Sequence, residues 1–168
     1  VLEEAGIKVD FIAGSSAGAL IGATYSAGAR PAEIQRLARK LNWFKLMRPV
    51  WPKRGFVSFK KMEEWLIKEL GDLHFADLKY PFAVVATDMN SGHMVVLKEG
   101  RIAPAVRASC SVAGVVTPAE IDGRLLCDGN FSNSVPVDVV RAMGADYVIG
   151  VDIFTPAIRR KLGAVGYF

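Results

Sequence analysis

This 168-residue chain predicts an α/β layer fold with a mixed, mainly parallel sheet, and three observations carry that prediction. Short apolar runs alternate with longer stretches of helical spacing, as strands and helices in alternation require. Glycine follows the helical stretches at Gly28, Gly71 and Gly144, where a chain commonly leaves a helix. Near the start, the apolar run Val9–Ala13 passes through Gly14-Ser15-Ser16-Ala17-Gly18 into helical sequence, the order strand, sharp turn, helix. With 51% hydrophobic residues and a mean hydropathy of +0.25, the chain has the material for a packed core and the length of one domain.

Taken in order, residues 9–13 read as a buried strand and 17–27 as the helix it feeds. Pro31 opens a second helix to about residue 41, with Ile34, Leu37, Ala38 and Leu41 at helical spacing. Residues 42–57 read as irregular. Ser58 is the expected cap of a third helix reaching Leu70, whose Met62, Trp65, Leu66 and Leu70 share a face. Residues 82–86 and 94–97 read as strands joined through the turn Asn90-Ser91-Gly92. A helix is expected over 102–110 despite Pro104. A short strand at 125–127 precedes the turn Asp128-Gly129-Asn130; a helix over 137–143 and a final apolar strand over 147–151 complete the set. Residues 1–6 read as the last turns of a helix whose start is missing, and the end looks equally unfinished, so the expectation is a fragment of a longer protein.

Composition narrows the function classes. A net charge of +4 and a pI near 9.2 fit attraction to anionic lipid or acidic substrates as well as to nucleic acid, but no nucleic-acid-binding motif accompanies the charge. Two cysteines, Cys110 and Cys127, give neither a disulfide framework nor zinc-ligand spacing, and read as small buried hydrophobes; neither a metal nor a cofactor is expected. Residues 11–29 carry no charge, yet are mostly Gly, Ala and Ser, so a membrane span is rejected there. Gly18 and Gly22 instead suggest a helix packed very close to its sheet. With no leader sequence in view, a cytoplasmic setting is expected.

The G-x-S-x-G run makes Ser16 the candidate nucleophile. A serine at such an elbow is held in a strained conformation that lifts its hydroxyl clear, while Gly14 and Gly18 keep side chains out of the strand–helix crossing. The helix start at Ala17 offers free N–H groups to an oxyanion. The hydroxyl needs a base. His74 and His93 lie in polar connections, not in a late loop following an acid, and read as solvated or structural. Asp88, Asp128 and Asp152 follow or end apolar strands, where open α/β sheets place their sites. Asp128 stands out through Gly129 and the polar Ser132-Asn133-Ser134 beyond it.

These segments together resemble a known family. Gly14-Ser15-Ser16-Ala17-Gly18-Ala19-Leu20, then Ala86-Thr87-Asp88, Arg107-Ala108-Ser109-Cys110, and Ile121-Asp122-Gly123-Arg124 running into Asp128-Gly129 are similar, in register to about Ile153, to the patatin-like phospholipases, especially small bacterial members. The resemblance implies a three-layer α/β/α fold and a Ser–Asp dyad without histidine, formed by Ser16 and Asp128. It also implies a lipid or acyl ester substrate, with Asp88 and Arg107 in structural or site-supporting roles. Two departures stand out. Asn130 replaces the Gly or Ala of D-G-[GA], and its side chain can crowd or bond the carboxylate. The family's glycine-rich oxyanion loop belongs upstream of Val1. The activity implied is hydrolysis of carboxylic esters of lipids. The alternatives are acyl transfer or thioester cleavage by the same nucleophile, and a non-catalytic regulator that keeps the fold; oligomeric state is left open.

One further stretch, from Trp43 and Phe44 through Trp51 to Arg54, interleaves aromatic and basic residues. That mixture suits the interface of an anionic membrane. Enrichment alone does not put rings outside, and the plainer expectation is a loop that buries its tryptophans.

Overall fold

The computed structural model describes residues 2–51 and 55–153. Its elements run β1 (Ile12–Ser15), α1 (Ala17–Ser26), α2 (Pro31–Lys40), the one-turn α3 (Trp43–Leu46), β2 (Arg48–Pro49), β3 (Val57–Ser58), α4 (Lys60–Leu70), β4 (Phe82–Asp88), β5 (Met94–Leu97), α5 (Ile102–Ser109), β6 (Ala119–Ile121), β7 (Arg124–Asp128) and α6 (Val137–Ala142). Single 3-10 turns lie at Phe75–Asp77 and Gly129–Phe131.

β4 is the spine of the sheet. Its residues from Phe82 to Thr87 are all buried, so it lacks the polar alternation of a half-exposed strand. Its two faces still separate by period two. Phe82 and Val84 pack with Leu20 and Ala23 of α1, Met62 and Leu66 of α4 and Val106 of α5. Ala83 and Val85 face the other way, onto Val139 of α6. Helices thus cover both faces, giving the three layers expected.

Strand pairing decides what the sheet brings together. β1 runs parallel to β4, with Ser15 opposite Val85 at its end. β7 runs antiparallel to β4, with Asp128 opposite Ala86. β5 pairs with β4 residues that both β1 and β7 also engage, so it occupies the opposite edge. β1 and β7 therefore share one edge of β4 and meet head to head, C-terminus to C-terminus, between Val85 and Ala86. Among the described residues β6 pairs with β7 alone. The sheet is mixed, but the expectation of a mainly parallel one needs correction: only β1–β4 is parallel among the described pairings of this sheet. Tight connections explain two of the three antiparallel pairs, β4–β5 and β6–β7, since the chain turns back at Asn90–Gly92 and again between β6 and β7, and short turns can join only antiparallel neighbours.

Several boundaries move. β1 lies two to three residues later than its apolar run, because register with β4 sets its bounds. Ser58 is the last residue of β3; its hydroxyl accepts from Lys60 N–H at 3.3 Å, while Phe59 occupies the cap. Pro104 is harmless in the first turn of α5, where its absent N–H would have had no partner. β6 was not expected; three residues are too few to show a period. Residues 147–151 form no strand, for an apolar run becomes one only when a neighbour completes its ladder, and no described strand pairs with it. Among the described residues no helix is long and apolar enough to cross a membrane; residues 11–29 are shared mainly between β1 and the ten-residue α1.

Close approach explains three of the glycines. A Cβ at Gly14 would overlap the Gly18 carbonyl, and one at Gly129 would overlap Val85 O and the Ser15 hydroxyl. Gly22 is likewise filled by Phe82 and Ile12, which holds α1 against the sheet. Gly18 departs from the expectation: a Cβ there meets nothing within 4 Å. Gly129→Ala is therefore expected to destabilise by about 3 kcal/mol. Gly18→Ala should raise stability by roughly 0.5–1 kcal/mol through helix propensity. Urea denaturation of the two variants checks both signs.

Candidate active site

At the head-to-head junction the chain leaves β1 through Ser16, whose φ of 51° and ψ of −118° are rare for any residue but glycine. Ser16 is also the N-cap of α1. A serine there normally turns its hydroxyl onto the first-turn N–H groups, yet no such bond forms. The hydroxyl instead donates to Asp128 Oδ2 at 2.7 Å, across a sequence separation of 112 residues. Ala17 and Gly18, the first two residues of α1, thus keep N–H groups that no partner inside the helix can satisfy.

Asp128 ends β7 and caps the 3-10 turn after it. Its Oδ1 accepts from Asn130 N–H at 2.9 Å, which leaves Oδ2 for Ser16. The residue is 2% exposed. Burial pushes its carboxyl above the ordinary aspartate range, against the opposing pull of the Asn130 N–H and the Ser16 hydroxyl. The backbone around it is tied down: Asp128 N–H donates to Ser111 O at 2.8 Å, and the Thr87 hydroxyl donates to Asp128 O at 2.9 Å. Asn130 bonds the carboxylate through its backbone; its side chain belongs to an exposed residue and its φ is not positive, so the departure from Gly or Ala leaves the turn intact.

The end of α5 locks the junction. Ser109, fully buried, accepts the Ser16 N–H at 2.8 Å and donates to Val85 O at 2.6 Å, bridging the elbow to the spine strand. The Cys110 thiol donates to Ser16 O at 3.3 Å, and burial pushes its pKa far up, so it stays a thiol. Sequence reading quoted Ser109 and Cys110 without giving them a task. No local pattern could, because their partners lie 93 and 94 residues away. Cys127 is buried too, and both cysteines are free.

The other candidates lie elsewhere. Asp88 caps the β4–β5 turn, accepting from Asn90 and Ser91 N–H at 2.8 and 3.1 Å. Arg107 pairs with Glu63 of α4 at 2.7 Å and ties two helices together. His74 and His93 are exposed and engaged in turns. Asp152 is exposed on the run after α6. No cluster that could hold a metal ion occurs among the described residues. Trp51 is 83% exposed, contrary to the expectation that the loop buries its tryptophans; Phe44 is 85% exposed, and the Trp43 side chain lies outside the described set. Beside Ser16 opens a cleft of about 1180 Å³ along β1, walled by Ile7, Phe11, Ile21, Val137 and Ile149 among others.

Known proteins resemble this chain over most of its length. The model of the family described as patatin-like phospholipase matches residues 1–141. Patatin-like phospholipase domain-containing protein 6 of mouse is 33% identical over 162 residues, covering 90% of this chain and 12% of that protein. An uncharacterised NTE family protein of Mycobacterium tuberculosis is 33% identical over 155 residues, covering 90% of this chain and 43% of its own length. Neuropathy target esterase of Drosophila melanogaster is 30% identical over 160 residues, with 90% and 11% covered. The chain thus spans less than half the length of these relatives. Sequence, layers and family match converge, and the chain belongs to the patatin-like phospholipase family of serine lipid hydrolases.

Proposed function

We propose that this chain carries the reaction centre of a serine acyl hydrolase that cleaves carboxylic esters of phospholipids or lysophospholipids through a Ser16–Asp128 dyad. The observation that carries this reading is the 2.7 Å hydrogen bond from the Ser16 hydroxyl to a buried carboxylate, made at the expense of the helix cap.

Asp128 Oδ2 takes the proton as Ser16 Oγ attacks the ester carbonyl carbon. The carbonyl oxygen becomes an oxyanion facing the Ala17 and Gly18 N–H groups at the positive end of α1. The tetrahedral intermediate collapses, the bond to the alcohol breaks, and Asp128 returns the proton to the leaving alkoxide. A water then gives its proton to Asp128 and attacks the acyl-enzyme; the proton passes to Ser16 as the fatty acid leaves. An ordinary aspartate is a weak base, so the raised carboxyl and the short bond narrow the gap in proton affinity. The largely apolar cleft, with Ile7, Phe11, Ile21, Val137 and Ile149 on its walls, supports a lipid acyl group as the bound portion.

Ser16→Ala in the full-length protein is expected to abolish fluorophosphonate labelling and cut ester hydrolysis at least a thousandfold or so. Labelling that persists in this variant would remove the nucleophile. Asp128→Asn should cost about 10²–10⁴ in kcat. Because the folded carboxyl is raised, ionised Asp128 lowers stability above its pKa, and that penalty fades as pH falls to the unfolded value of about 4. Asp128→Asn should therefore melt no lower than the parent at neutral pH, with the two curves converging near pH 4, about where an unfolded aspartate titrates.

Activity should fall as pH drops through the raised carboxyl pKa, and the same acid limb should persist in a His74→Ala/His93→Ala double variant. Loss of the limb there would replace the dyad with a histidine mechanism. Ser109→Ala leaves Ser16 N–H and Val85 O unpaired, each worth roughly 1–3 kcal/mol. Its expected signature is a lower Tm together with a reduced kcat at unchanged KM.

A further inference from the structure

The strongest unassigned feature is the hairpin of β2 and β3 with the helical turn before it. Val50 N–H donates to Phe56 O at 3.1 Å, extending the ladder one step beyond Pro49 and Val57, so Trp51 and Phe56 stand at the hairpin's outer end. They are 83% and 64% exposed, and Phe44 of α3 is 85% exposed, although Leu46 anchors the same turn in the core. Several large exposed side chains on one short stretch of chain mark an interaction surface, where a single one would not. The hairpin is not adrift: Phe56 and Val57 N–H both donate to Val115 O, at 2.8 and 3.2 Å, and Thr117 N–H returns a bond to Val57 O at 2.8 Å. Val115 lies on the loop that leaves α5 just after Ser109, Cys110 and Ser111, the residues that grip Ser16 and Asp128. Backbone hydrogen bonds thus join the hairpin to the loop that leads away from the reaction centre.

Charge specifies the partner. Residues 34–62 hold nine lysines and arginines and no aspartate or glutamate, out of 21 cations in the whole chain. Lys45, Arg48, Lys60 and Lys61, which flank the rings, are exposed. Aromatic rings at the boundary of water and hydrocarbon, ringed by cations, match a bilayer surface that carries negative headgroups. A protein groove would accept the rings but has no need of so one-signed a surround.

We propose that Phe44, Trp51 and Phe56, with the cations around them, form a docking surface for membranes containing anionic phospholipid. The surface deepens the lipid-hydrolase reading by naming where its substrate is met, but its binding does not require the chemistry. One apolar contact of this kind gives reversible attachment, strengthened by the attraction of several cations.

The test uses Ser16→Ala protein, so that vesicles are not consumed. It should float with vesicles of phosphatidylcholine and phosphatidylserine, and much less with phosphatidylcholine alone or at high salt. Phe44→Ala/Trp51→Ala/Phe56→Ala in the same background should lower the partition about tenfold or more while the melting temperature holds, because the rings are exposed. With Ser16 restored, the triple variant should hydrolyse a soluble short-chain ester at the parental rate and vesicle lipid more slowly. An environment-sensitive fluorophore on Trp51→Cys should shift to the blue on adding anionic vesicles. Equal flotation of parent and triple variant with no shift at position 51 overturns the proposal, as does flotation indifferent to phosphatidylserine. Failure of the soluble-ester assay in every form would instead overturn the hydrolase reading and leave the binding result standing.

Discussion

Everything at the centre of this molecule depends on two strands ending against each other on one edge of β4. β1 arrives from one end and stops at Ser15; β7 arrives from the other and stops at Asp128. Backbone pairing fixes each strand to within a residue, since a slip of one would turn every side chain to the other face. The hydroxyl of Ser16 and the carboxylate of Asp128 are therefore brought within 2.7 Å by the ladder, not by any attraction of their own. The junction has no room for side chains where the two chains turn away, so Gly14 and Gly129 sit there. Val85 O, left at the gap between the two partners, is taken up by Ser109.

The same geometry sets the electrostatics. A carboxylate sealed under the sheet end loses water and gains two hydrogen bonds among the described residues, from Asn130 N–H and the Ser16 hydroxyl. Desolvation wins, and proton affinity rises. The helix beginning at Ala17 points its positive end toward the same place. Ser16 could have satisfied that helix as a cap, but its strained backbone and its bond to Asp128 direct the hydroxyl elsewhere. Folding stability is thereby given up locally, as is common where a site is held ready for a reaction.

Helix faces and stops were open to sequence reading because they repeat locally: α1, α2, α4, α5 and α6 fall close to where apolar spacing and Gly28, Gly71 and Gly144 put them. Strands were harder. Three-residue β6 carries no period, and the apolar run at 147–151 has the composition of a strand without a described partner to make it one. Strand direction was misjudged because the α/β alternation suggested crossovers, whereas the second half of the chain returns by tight turns. Ser109 and Cys110 had no visible task because a serine or cysteine inside an apolar helix looks like packing until its partner appears.

The sequence alone determined the elbow: a strand, a helix start and, at Gly14, a residue without a side chain, which leave a serine at the bend. Those are short-range facts, settled by sterics within a few residues. It also set Asp128 apart among several strand-end aspartates, through Gly129 and the polar loop after it, and supplied the family resemblance that pairs it with Ser16. Only the tertiary structure decided that this carboxylate faces the hydroxyl while Asp88 caps a turn, and that the rings of Phe44 and Trp51 stand in solvent. Pairing across more than a hundred residues, and the choice between core and surface for an aromatic ring, depend on the summed packing of the whole chain. No local pattern carries that sum.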